Sequence, residues 1–284
     1  MMEKDTILYV LTKSQEYLGK RQIPNPRLDA ELILSDVLNL ERIKLYSNFD
    51  KKLTEPEKDI YREKIKARGE FKPVAYIIGK KGFYKSIFIV NEKVLIPRPE
   101  TEEIIEWVSK EINKDTAFTV LDLCTGSGCI GISLKKDFPN LQLTLSDISN
   151  EALGVAQENA REILKDQVIA FIQSDLFESI SEDTKFDFIL SNPPYIPIQE
   201  KSTIMADVLN YEPHLALFLD EPETFYKKLL AGAKEHLTDN GSLYMETHQD
   251  WAGKVSRLGL DLGFKSSIIK KDLSNKERFI KLVK

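Results

Sequence analysis

The 284-residue sequence is short of the residues that build disulfide frameworks and most metal centres, with two cysteines and three histidines. Cys124 and Cys129 lack the spacing of zinc ligands, and His214, His236 and His248 are remote from them in sequence, so no metal is expected and both thiols read as reduced packing residues. Long apolar runs are missing as well. No stretch approaches the ~18 consecutive apolar residues of a membrane span, and Met1-Met2-Glu3-Lys4-Asp5 is acidic where a secretory signal is basic and then apolar. These absences give the expectation of a cytoplasmic protein with no membrane partner. No internal repeat or low-complexity segment is found.

What is present is an ordinary globular composition, 42% hydrophobic and 30% charged, on a chain long enough for a catalytic domain and a smaller companion. The net charge of -5 conceals an asymmetry. Residues 1–90 hold 18 Lys/Arg against 13 Asp/Glu, and the remainder 22 against 32. The basic excess lies mainly between Lys51 and Lys85, where it suits an acidic or RNA-associated partner about as well as a solvated helix face.

Apolar periodicity predicts an N-terminal helical bundle. Leu8, Val10, Leu11, Tyr17 and Leu18 form one face, Leu28 to Leu38 a second, and Lys58 to Arg68 a closing helix that stops at Gly69. From Phe83 to Val90 and from Lys93 to Ile96 the texture is that of two strands joined by a turn at Asn91-Glu92. Beyond Pro97, strands at 119–123, 142–146, 168–173, 187–191, 241–247, 264–270 and 278–282 alternate with helices such as 102–110 and 150–162, the pattern of an open α/β sheet. The expected domains are a helical bundle at 1–75, a β-hairpin linker at 76–97 and a catalytic domain at 98–284.

Two strand ends carry the chemistry. Val120 to Leu123 runs into Cys124-Thr125-Gly126-Ser127-Gly128, a glycine turn where backbone can approach a ligand closely. Gly126 to Gly131 also satisfies the dinucleotide fingerprint. Asp122 favours a cationic ligand instead: a carboxylate just before the turn would repel a pyrophosphate and attract the ammonium of S-adenosylmethionine. Asp147 ends the next strand, where it can accept both ribose hydroxyls, and Asp175-Leu176 ends the one after, placed to meet an adenine. The second strand end is Asn192-Pro193-Pro194-Tyr195, after the apolar run 186–190. Two prolines have no N–H to give, so the loop offers acceptors, the Asn192 oxygen and the Pro193 carbonyl, beside the aromatic face of Tyr195. A planar NH2 group is the matching guest.

In order along the chain, Arg27-Leu28-Asp29-Ala30-Glu31-Leu32, Pro73 to Gly79, Leu95-Ile96-Pro97-Arg98-Pro99-Glu100-Thr101-Glu102, the cofactor strand, Asn192 to Tyr195 and Asn210-Tyr211-Glu212-Pro213 resemble the blocks of the release factor glutamine methyltransferases, the HemK family. The likeness runs nearly end to end. It implies a class I S-adenosylmethionine-dependent methyltransferase, with a Rossmann-like seven-stranded sheet, a small N-terminal helical bundle for partner recognition and a β-hairpin linker. The implied reaction moves a methyl group to the side-chain nitrogen of the Gly-Gly-Gln glutamine of class 1 peptide chain release factors. On that reading Asn192, Pro193 and Tyr195 are the catalytic residues, Asn192, Pro193, Pro194 and Tyr195 hold the substrate, and Asp122, Cys124, Thr125, Gly126, Ser127, Gly128, Asp147, Asp175, Leu176 and Asn192 hold the cofactor. Glu100 and Glu212 read as scaffold or loop-ordering residues. The sequence departs from the family pattern at Cys124, where glycine is commoner, at Leu176 and at Leu219-Asp220-Glu221. A ribosomal-protein glutamine and the N6 amine of adenine fit the same acceptors as alternatives, although 91–284 is net acidic and shows no basic recognition domain. A nicotinamide-dependent oxidoreductase or a plain nucleotide-binding module would leave the Asn192 loop without a purpose.

Overall fold

Runs of apolar residues too continuous for a half-solvated strand make the middle of a seven-stranded sheet. The computed structural model describes residues 3–113, 116–165 and 167–284, so Met1 and Met2, where the N-terminal reading begins, lie outside the described residues. The strands of the sheet are Thr119–Leu123 (β1), Gln142–Asp147 (β2), Ala170–Gln173 (β3), Phe186–Ser191 (β4), Leu237–Glu246 (β5), Ser266–Lys271 (β6) and Glu277–Val283 (β7). Their spatial order is β6-β7-β5-β4-β1-β2-β3, with β7 antiparallel to both neighbours and the other pairs parallel. The chain order reverses between β1 and β4, which sets the ligand crevice of an open α/β sheet at the carboxyl ends of those two strands. Their register pairs Leu123 with Ser191, so the glycine turn and the Asn192 loop leave the sheet side by side.

Alternation along β1 feeds two cores. Val120 joins the apolar layer under the helices Glu102–Ser109, Cys129–Asp137 and Asn150–Leu164, while Leu121 and Leu123 join the layer under Pro222–His236 and Ala252–Asp261. Each fully buried leucine contributes ~1.5 to 3 kcal/mol of apolar transfer.

By Cα clustering the chain divides into two units, Lys80–Ile204 with Glu212–Lys284, and residues up to Gly79 with Met205–Tyr211. The second of these is helical. Its helices start where the sequence supplies caps: Thr6 accepts from the Tyr9 N–H, Pro26 opens Pro26–Val37, and Thr54 with Glu57 forms a capping box at the head of Glu55–Gly69. Ile7, Leu18, Ile33, Leu34 and Leu45 fill its core. Buried Arg68 donates to Asp29 at 2.7 Å and to the carbonyls of Phe71 and Lys72, and the Tyr211 hydroxyl donates to the Glu70 carbonyl at 2.8 Å. Lys52, Lys58, Arg62, Lys64, Arg68 and Lys85 are each ion-paired, so the basic excess between Lys51 and Lys85 is in large part neutralised locally.

The hairpin differs from its sequence reading. Its strands are Lys80–Phe83 and Ser86–Ile89, turning at Tyr84-Lys85 with Tyr84 in the left-handed region at φ 50°, and no strand forms at 93–96. Tyr84 is held there by contacts from outside the turn: its N–H donates to Glu102 Oε1 at 2.9 Å and its hydroxyl to Asp137 at 3.0 Å. Val94 and Ile96 are instead buried and Leu95 half-buried, and the β3 strand starts at Ala170 rather than at Val168, which is exposed.

Candidate active site

Asp122 lies near the end of β1 and is fully buried. Its Oδ2 accepts the Thr125 hydroxyl at 2.6 Å and the Gly131 N–H at 2.9 Å, which folds the turn back over the strand. Burial pushes its carboxyl up to about 7 against the pull of those two hydrogen bonds. Oδ1 is buried and has no hydrogen-bond partner among the described residues. Gly131 is required by this arrangement, since a Cβ there would stand 2.6 Å from Leu145 and 3.0 Å from the Asp122 carboxylate. Cys124 holds φ 58° without glycine's freedom, a conformation that costs a side-chain-bearing residue about 1–2 kcal/mol.

Asp147 at the end of β2 grips the other side of the turn. Oδ2 accepts the Gly126 N–H and Oδ1 the Ser149 N–H, both at 2.9 Å, leaving lone pairs on each oxygen. Burial raises its carboxyl above the ordinary range. Asn159, fully buried on the helix Asn150–Leu164, accepts the Ile89 N–H and donates to the carbonyls of Ile89 and Ser127, so one amide ties the hairpin to the glycine turn.

At the end of β4 the Asn192 amide donates through Nδ2 to the Thr101 hydroxyl at 3.1 Å, and its buried Oδ1 has no hydrogen-bond partner among the described residues. Thr101 donates in turn to Glu246 Oε2 at 2.7 Å, and the Tyr195 hydroxyl donates to Glu246 Oε1 at 3.1 Å. Burial raises the Glu246 carboxyl, opposed by the Thr101 hydrogen bond and by Arg278 at 3.7 Å. Glu212 accepts the Ile96 N–H at 3.2 Å and Arg98 at 2.6 Å, which orders the segment 96–98.

These strand ends enclose a cavity of about 310 Å³, at the small end of the ~300–1,000 Å³ usual for ligand sites. Cys124, Thr125, Gly126, Ser127, Asp147, Asp175, Leu176, Asn192 and Pro194 line it. Asp122, Gly128, Pro193 and Tyr195 do not: Asp122 sits beneath the turn, and Tyr195 turns its hydroxyl to Glu246. Asp175 is exposed and paired with Lys228 at 3.0 Å. Sequence reasoning gave no site role to Thr101, Asn159 or Glu246. The available signals were an acid ending the apolar strand 241–246 in the manner of Asp147, and an asparagine on the buried face of an amphipathic helix.

Two family profiles match the chain, the PrmC N-terminal domain over residues 10–79 and the Methyltransferase small domain over residues 105–215. A release factor glutamine methyltransferase of Leptospira interrogans is 52% identical, with 100% of both chains covered. The chain belongs to the release factor glutamine methyltransferase family. A relative of the same name from Flavobacterium psychrophilum is 39% identical over 88% of this chain and 89% of its own. Among solved structures, the hMettl16 catalytic domain in complex with a MAT2A 3'UTR hairpin has a TM-score of 0.56 at 14% identity, covering 81% of each chain. A methyltransferase from Pyrococcus furiosus has a TM-score of 0.50 at 17% identity, covering 69% of this chain and 87% of its own. Those two likenesses speak to the fold, a class I methyltransferase sheet. The chain is accordingly a protein methyltransferase whose methyl donor is S-adenosylmethionine. Among the described residues no helix is long and apolar enough to cross a membrane, and no cluster of potential metal ligands is found.

Proposed function

We propose that this enzyme methylates the side-chain amide of the glutamine in the Gly-Gly-Gln motif of class 1 peptide chain release factors, giving N5-methylglutamine. The observation that carries this reading is the Asn192 side chain, on a residue that lines the cavity: its NH2 end donates to Thr101, and its buried Oδ1 is left as an acceptor with no partner among the described residues. A group with two N–H donors and a planar frame suits that acceptor, and the names of the relatives point to glutamine.

The cavity fits a cationic adenosine ligand in the same terms. Asp147, on the exposed side of the Gly126 turn, has lone pairs left for ribose hydroxyls, Asp175-Leu176 borders the region assigned to adenine, and Asp122 beneath the turn adds negative charge near a cation. When bound, S-adenosylmethionine supplies an electrophilic methyl carbon on a sulfonium. That carbon would pass to the glutamine nitrogen with loss of S-adenosylhomocysteine, and the extra proton on nitrogen would pass to solvent. An amide lone pair is delocalised and weakly nucleophilic, so alignment supplies much of the rate, up to ~7 to 11 kcal/mol for well-held reactants. Asn192 contributes by accepting from the NH2 group as positive charge builds on its nitrogen.

Methyl-labelled cofactor incubated with purified release factors, followed by peptide mapping, tests the reading. Label on the loop glutamine is expected, and none on a factor carrying glutamate there, because a carboxylate offers no NH2 to Asn192. Asn192→Ala is expected to lower kcat strongly with cofactor affinity kept. Label on a ribosomal protein or on adenine, with the release factor unlabelled, would overturn the substrate while leaving the cofactor site in place.

A further inference from the structure

An asparagine amide can sit either way round in the same envelope, and only one sense leaves the Asn192 oxygen free to accept from a guest. We propose that Glu246 sets that sense, as a positioning residue that acts on Asn192 through Thr101 and on Tyr195 directly. The proposal rests on the glutamine reading above and adds to it the group that prepares the acceptor.

The argument is one of donor count. Ionised Glu246 can only accept, and its two oxygens take the Thr101 hydroxyl at 2.7 Å and the Tyr195 hydroxyl at 3.1 Å. A hydroxyl has one proton. With it given to Glu246, Thr101 has only lone pairs for Asn192, so Nδ2 turns to Thr101 at 3.1 Å and the buried Oδ1 is left, without a partner among the described residues, on a side chain that lines the cavity. Arg278, 3.7 Å from Glu246 and itself held by Asp272 at 2.9 Å, supplies the countercharge that favours the ionised form. Glu246 and Thr101 are 1% and 2% exposed. An acid so deeply buried is costly unless its oxygens are engaged, and here both partners belong to, or touch, the Asn-Pro-Pro-Tyr loop. Three chain regions, the 3₁₀ turn Pro99–Thr101, the end of β4 and the end of β5, meet to make this polarity.

Glu246→Gln tests it with nearly unchanged shape. The glutamine NH2 can donate to Thr101, whose own proton is then free to point at Asn192, and the fixed sense is lost. The expected result is an about ten- to hundredfold fall in kcat for release-factor methylation, the worth of a hydrogen bond to a charged group, with cofactor Kd unchanged. Thr101→Val should reproduce the fall and Thr101→Ser should restore most of the rate. In an Asn192→Ala background, followed by single turnover, Glu246→Gln should cost little more, since the interaction it removes is already gone. Wild-type kcat in Glu246→Gln, or a full additional loss in the Asn192→Ala background, would overturn the proposal. Should Glu246→Gln lose cofactor binding through misfolding, the threonine pair decides: equal rates for Thr101→Val and Thr101→Ser would overturn it. Wild-type enzyme that labels no release factor would instead bring down the glutamine reading, and this one with it.

Discussion

At position 122 a carboxyl group is shut away from water beneath the turn it organises, and its titration reports on folding. In the folded chain it ionises near pH 7, in the unfolded chain near 3.8. Between those values the folded state holds the extra proton, so stability falls as pH rises through that window, and the cost is complete above about 7. Asp122→Asn should therefore remove part of the decline in Tm between about pH 4 and 7; an unchanged slope would mean that Asp122 does not titrate there. Asp147 is the more exposed counterpart. Asp147→Ala should weaken S-adenosylmethionine through lost ribose hydrogen bonds, each worth about 1.5–3 kcal/mol with a charged acceptor, and calorimetric titration showing wild-type affinity would remove Asp147 from the cofactor site. Cys124 invites the opposite change, since glycine at φ 58° relieves the left-handed strain. Cys124→Gly is expected to shift stability by no more than about 1 kcal/mol, the relief of strain being offset by the unfolded-state entropy of glycine.

Among elements, the helix Cys129–Asp137 packs against β1 and β2 with no room for a side chain at Gly131. A methyl group at Gly131 would meet both Leu145 and the Asp122 carboxylate. Gly131→Ala should cost about 1–3 kcal/mol by overpacking and lower cofactor affinity as the turn shifts, read by denaturant unfolding and by titration. The central strands were legible in sequence because both their faces are buried and apolar runs announce them, and the turn after β1 because glycines mark it. The hairpin was misread for a related reason. Asn91-Glu92 looks like a turn and Tyr84-Lys85 does not, since Tyr84 takes its left-handed backbone under tertiary hydrogen bonds from Glu102 and Asp137 that no local pattern shows. The link of Thr101 to Glu246 was hidden likewise: the two lie 145 residues apart in sequence, and each on its own reads as an ordinary helix-entry or strand-end residue.

On the scale of the whole chain, the described residues that line the cofactor cavity all belong to the sheet unit, and none of them to the helical unit. Removal of residues 1–79 is therefore expected to leave S-adenosylmethionine binding measurable, and to weaken methylation of an intact protein partner far more than that of a short glutamine peptide. Equal losses on both substrates would argue against a recognition role for the helices. The chain passes between the units three times, after Gly79, after Ile204 and after Tyr211. The middle passage lends the helix Ala206–Tyr211 to the helical unit, where Tyr211 is fastened to the Glu70 carbonyl and Asp207 lies 3.7 Å from Arg68. A protease that cut only between Gly79 and Lys80 would thus not free the N-terminal fragment, because the other fragment still carries a seven-residue piece of its fold. That piece is a built-in handle, and the two fragments, made as separate polypeptides and mixed, should find each other by it.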